Sequence, residues 1–221
     1  MKQILLFLTV AFFCNKIYAQ KTPEQWVALA KSGTKNLKNA NLTGANLEGV
    51  NFSGVDLTGA NLTGANLKDA NLKDANLYLC NLTGTNLTAA NLTAANFLGT
   101  KMQYANLFKA NATQALFQEA DLQFAILRDA NLQAANFVLA NLSNADLQSA
   151  NLKDAYLDYN ATPAANVQEV VETEALGKAL DMHEKNINVF VRMNGAKINK
   201  YTKGIDFIWA KKNGIQIVAA Y

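Results

Sequence analysis

One histidine, His183, and two cysteines, Cys14 and Cys80, are all that this chain of 221 residues offers in imidazole and thiol chemistry. A catalyst needs a positioned base, nucleophile or metal. None of the spacings H-x-x-H, C-x-x-C, G-x-S-x-G or a phosphate-binding loop occurs. His183 falls near the end of a predicted helix, where an imidazole complements the helix terminus. Asp69 and Asp74 stand beside Lys68 and Lys73, the pattern of a solvated, salt-bridged surface rather than of a carboxylate pair set for acid–base work. The expectation is no catalytic residue, no metal site, no cofactor and no enzyme activity. A different chemistry is offered by Arg192, Lys197, Lys200, Lys203, Lys211 and Lys212, which face a lone Asp206 for a net charge of +5, with Tyr201, Phe207 and Trp209 interleaved. Such a cluster either binds an anionic surface or polymer or is a solvated face around a hydrophobic hairpin. The second reading is favoured.

The first nineteen residues constrain where that chemistry operates. Lys2 gives a short positive start, Ile4 to Phe13 form an uncharged apolar run, and Ile17-Tyr18-Ala19 offers a cleavage site that leaves Gln20 first. This reads as a secretory signal of bacterial type over residues 1–19. The run is too short for a permanent membrane span, which needs about 20 residues, and bulky Phe13 disfavours lipidation of Cys14. The expected location is periplasmic or extracellular, with no stable membrane insertion. Removing Lys2 and Lys16 lowers the formal charge from +3 to +1, so no general attraction to nucleic acid is expected. Cys80 is then the sole cysteine, and packing alone must hold the fold.

Most of the chain is one repeat. From residue 35 to 159 it reads A-N-L-x-x without insertion, with centres at 37, 42, 47 and every fifth position to 157, 25 in all. Nineteen centres are Leu; the rest are Phe52, Phe97, Met102, Ala112, Phe117 and Phe137. Nineteen of the positions two before a centre are Ala. Period five matches neither the 3.6 of a helix nor the 2.0 of a strand. It suits a chain that turns a corner every five residues, with the centre and the small residue inward and three polar positions in water.

This run of A-(N/D)-L-x-x units resembles the pentapeptide-repeat proteins. The resemblance implies an all-β solenoid, a right-handed quadrilateral β-helix with four repeats per coil and a little over six coils. At a strand spacing of about 4.8 Å the rod is roughly 30 Å long. Residues 20 apart then share a face. Phe97, Phe117 and Phe137 are predicted to stack inside the rod, Met102 to fill space left by Ala112 across one coil, and Cys80 to be a buried structural thiol. The recurrent Asn before each centre is predicted to form hydrogen-bonded ladders. The N-x-T/S triplets follow from the repeat and carry no glycosylation signal.

Outward positions distinguish the faces. The fourth face, with Ser53, Lys73, Thr93, Thr113, Gln133 and Lys153, is polar. The first carries Tyr78, Leu79, Leu98, Leu116, Val138, Leu139, Tyr156 and Tyr159, with smaller patches at Tyr104 and Phe124 on the second face and Phe108 and Ile126 on the third. A contiguous apolar stripe marks a contact surface, covered by the chain's own C-terminal segment, by a second copy or by a separate protein. Some members of the family that the repeat resembles mimic DNA and bind type II topoisomerases. That needs a strongly acidic rod, and residues 35–159 hold eight Lys/Arg against ten Asp/Glu, so this role is disfavoured.

Both ends need caps. Residues 20–34 are predicted as an N-terminal capping helix: Thr22 as N-cap, Pro23 at the first helical position, Gln25 closing a capping box, Trp26, Leu29 and Ala30 on the apolar side and Gly33 as stop. Residues 160–221 are predicted as a small α+β module. It holds a helix over 166–182, a strand over 187–193 and a hairpin of 205–210 with 215–221. The module is either a cap or a ligand-binding or enzymatic domain carried on an inert rod.

Overall fold

The computed structural model describes residues 21–156, together with the backbone of 197–198 and 216–217. From Asn36 onward, every fifth residue bridges in parallel to the residue 20 positions later, the last pair being Asn136 with Tyr156. Corners every five residues and a 20-residue coil make a four-sided parallel solenoid.

The hydrogen-bond accounting of one repeat explains why this sequence closes into that shape. The Leu42 N–H donates to the Asn61 carbonyl of the next coil (2.7 Å), Gly44 to Thr63 (2.9 Å), and Asn61 back to Ala40 (2.9 Å). The Ala45 N–H closes the corner onto the Leu42 carbonyl at 3.1 Å. Four of five N–H groups are thus paired along the backbone. The fifth, just after the centre, donates to the side-chain oxygen of the residue just before it, as Ser53 does to Asn51 and Thr58 to Asp56, both at 3.0 Å. Asn or Asp completes the set, which is why it recurs. The second residue after each centre is left-handed throughout, as at Gly44 (φ +63°), Asp69 (φ +57°) and Tyr104 (φ +60°). Gly, Asn and Asp accept that conformation; a bulky residue is strained by it.

Inside, centres and small residues form one continuous apolar core from Trp26 to Leu152. Phe97 stacks on Phe117 and Phe117 on Phe137, each pair with ring centroids 4.9 Å apart. Met102 and Ala112 are both buried. The amide ladders run outside: Asn66 donates to Asn46 (3.2 Å), Asn86 to Asn66 (3.1 Å), Asn96 to Asn76 (3.0 Å) and Asn151 to Asn131 (2.9 Å).

Before the first coil lies helix α1 (Pro23–Lys31). The Gln25 N–H donates to Thr22 Oγ1, and the Thr22 N–H donates to Gln25 Oε1 at 3.1 Å, a reciprocal capping box. Trp26 and Ala30 are buried in the same apolar cluster as Leu37, with Val27 and Leu29 packed against it. Gly33 ends the helix with φ +80°.

Beyond Tyr156, strand β1 (Lys197–Ile198) pairs in parallel with β2 (Gln216–Ile217), Lys197 opposite Gln216. β2 falls within the predicted strand 215–221. β1 occupies a stretch to which the sequence assigns no strand, because a two-residue ladder is too short to leave an alternating pattern. The predicted helix 166–182, strand 187–193 and hairpin arm 205–210, with His183 and Tyr159, lie outside the described residues, as do the signal segment and the side chains of the basic cluster.

Candidate interaction surface

The repeat's own rules separate residues that make the fold from those that do something else. From 36 to 151 the position before the centre is Asn or Asp at all but three places, Lys101, Leu116 and Ile126. These three carry no acceptor for the N–H that follows the centre. Four large apolar residues, Leu79, Tyr104, Phe124 and Leu139, occupy left-handed corners, with φ between 56° and 63°. Each departure weakens the local fold and puts a large side chain in water: Tyr104 is 61% exposed, Leu79 55% and Ile126 40%.

On the first face, Tyr78, Leu79, Leu116 and Leu139 are exposed. Leu98 and Tyr156 are half-buried and Val138 is buried, so the stripe is narrower than predicted. Pointing outward is not the same as being exposed, because coils about 4.8 Å apart cover one another's side chains. Leu79 leans along the rod, its Cδ2 lying 2.9 Å from where a Cβ on Gly99 would stand. The two smaller patches prove to be one. Tyr104 stacks on Phe124 with centroids 5.1 Å apart and an interplanar angle of 6°, and Ile126 follows Phe124 directly around the corner onto the third face, where Phe108 is half-buried. The sequence alone divided this cluster because the corner falls inside it.

Charge on the rod is dispersed. Lys68 pairs with Glu48 (3.2 Å) and Asp69 (3.4 Å), and Lys38 with Asp56 (3.1 Å). Burial pushes the Asp56 carboxyl up, but hydrogen bonds from Thr58 and Lys38 outweigh it and hold the group below its ordinary value. The Cys80 thiol is fully buried, donates to the Leu57 carbonyl at 2.9 Å, and is pushed by burial up to about 12. A protonated, enclosed thiol is not a nucleophile. Among the described residues no cluster of His, Cys, Asp and Glu is suited to a metal, and no helix is long and apolar enough to cross a membrane.

The family model for pentapeptide repeats matches residues 36–74, 75–111, 103–133 and 125–158, with eight copies. The chain belongs to the pentapeptide repeat family. Pentapeptide repeat proteins fold as right-handed quadrilateral β-helices and are generally non-enzymatic structural or interaction modules, in keeping with the 20-residue coil. Among solved structures, the chain is similar to HetL of the cyanobacterium Nostoc, involved in the regulation of heterocyst differentiation, at 23% identity over 80% of this chain and 81% of that one, with a TM-score of 0.33. It is also similar to QnrB1, a plasmid-mediated fluoroquinolone resistance protein, at 13% identity over 84% and 85%, with a TM-score of 0.34. A pentapeptide repeat protein of the Arabidopsis thaliana thylakoid lumen shares 26% identity over 56% and 72%, with a TM-score of 0.28. No curated protein matches the chain.

Proposed function

We propose that this pentapeptide repeat protein is an exported, non-catalytic scaffold that binds another protein through the first face of its rod. The observation that carries this reading is the set Tyr78, Leu79, Leu116 and Leu139, exposed together on one face, with Leu79, Leu116 and Leu139 at positions where the repeat itself favours Asn, Asp or Gly and Tyr78 at one where it favours Thr or Lys. Export is supported by the composition of residues 1–19, and α1 serves as the cap of the first coil, its Trp26 buried in the rod's core cluster. With eight cations against ten anions over residues 35–159, the rod offers neither a continuous acidic surface to imitate a phosphate backbone nor a net positive charge to attract one.

The test is affinity capture from the host's envelope and secretome, comparing the full chain with the double variant Leu79→Lys, Leu139→Lys. Proteins retained by the parent and lost from the variant, with unchanged far-UV circular dichroism, are the expected outcome. Equal retention by both overturns the first-face reading. N-terminal sequencing of the secreted material checks cleavage after Ala19.

A further inference from the structure

The third face carries a pattern that pairs with itself. Across two adjacent coils, this face and its corner with the second face hold complementary couples one coil apart: Tyr104 with Phe124 at the corner, Phe108 with Arg128 and Lys109 with Asp129 on the face, while the remaining outward column sets Asn106 beside Ile126. The aromatic couple is already stacked within the chain. The charged couple is not joined: among the described residues neither Lys109 nor Asp129 has an ion-pair partner, although Lys109 Nζ lies 5.0 Å from the centroid of the Phe108 ring. Lys109 and Asp129 are both exposed and both left-handed. Arg128 reaches Asp146 only at 3.9 Å, with half of its side chain in solvent.

We infer that the third face is a two-fold interface onto which a second copy of this chain docks antiparallel. If the symmetry axis lies in the face, across the rod and midway between the two coils, each residue meets the partner's residue one coil away in the same column. Lys109 then meets the Asp129 position and Phe108 meets the Arg128 position, and each contact occurs twice. Tyr104 meets the Phe124 position at the corner with the second face, and Ile126 meets the Asn106 position between the aromatic and the charged columns. A two-fold contact must be self-complementary in this way, and the cation–aromatic and ion pairs gain when a partner excludes water. The same operation with the rods parallel sets each column against its mirror column and loses the charge match. This selects the antiparallel docking. The contact uses a different face from the one proposed for a protein partner and does not depend on that reading.

Sedimentation equilibrium of the full chain tests the assignment. A monomer–dimer equilibrium at roughly micromolar to hundred-micromolar concentration is expected for an interface of this modest size. Lys109→Asp alone, or Asp129→Lys alone, sets like charges together at two symmetric contacts and raises the dimer Kd by about tenfold or more. An equimolar mixture of the two variants restores opposite charges at both contacts and forms a heterodimer, which a merely intramolecular role for these residues would not produce. The Leu79→Lys, Leu139→Lys variant still dimerises. A monomer at every concentration overturns the proposal, whether residues 157–221 cover this face or nothing does. So does a dimer indifferent to both charge reversals, or a variant mixture that stays as monomeric as its components.

Discussion

Cys80 puts a sulfur where most repeats have an alanine methyl, and Thr85 puts a hydroxyl in the same slot one repeat later, donating to the Leu62 carbonyl at 2.7 Å. Both turn an inward polar atom onto a carbonyl of the preceding coil, so neither is an unsatisfied buried group. The thiol differs in being able to ionise. Its folded value, pushed by burial to about 12, lies above that of an exposed thiol, about 8.5, so the fold favours the protonated form. That contribution to stability is fully present below about pH 8.5 and is lost as pH rises toward 12. Urea midpoints of the parent and of Cys80→Thr, compared at about pH 8 and about pH 10.5, are expected to show a steeper alkaline loss in the parent. Thr reproduces the carbonyl contact without a titrating proton. Parallel losses in the two proteins would show that the thiol does not couple to folding.

The stacked phenylalanines are among the largest fully buried side chains, and Phe117 has a ring on each side of it. Phe117→Ala opens a cavity between Phe97 and Phe137 that a solenoid cannot close, since moving either coil breaks ladders on the other three sides. The expected cost is about 3–5 kcal/mol, read from denaturant unfolding; a loss below about 1 kcal/mol would mean that the coils do collapse onto the gap. This column was readable in the sequence because four repeats per coil fix which residues share a face. The Asn was only half readable. Its ladder followed from stacking, whereas its bond to the N–H after the centre required noticing that the backbone pairs four of five donors and leaves that one over. Exposure was least readable. Nothing in the alternation distinguishes Leu79, which stands clear, from Val138, which neighbouring coils cover. The join between the Tyr104–Phe124 pair and Ile126 was hidden because it crosses a corner.

At the scale of the rod, register matters more than any single contact. Each coil touches only its neighbours, so stability is a sum of coil and interface contributions, and every column depends on a spacing of 20 residues. Two deletions separate length from register. Removing residues 61–80 takes out one whole coil and leaves each remaining column aligned, including Phe97 over Phe117 and Tyr104 over Phe124. Removing residues 106–110 takes out a quarter as much chain but rotates everything after it by one face. That parts both aromatic pairs, each worth about 1 kcal/mol beyond its buried area. It also puts the large centres of one half over columns built for other sizes. The whole-coil deletion is expected to unfold as a single cooperative transition with a smaller denaturant slope, because the slope follows the surface exposed. The five-residue deletion is expected to lose more stability per residue removed. If it unfolds like the parent, the coils tolerate any pairing of faces, and the column order that sets both proposed surfaces would not be what the core specifies.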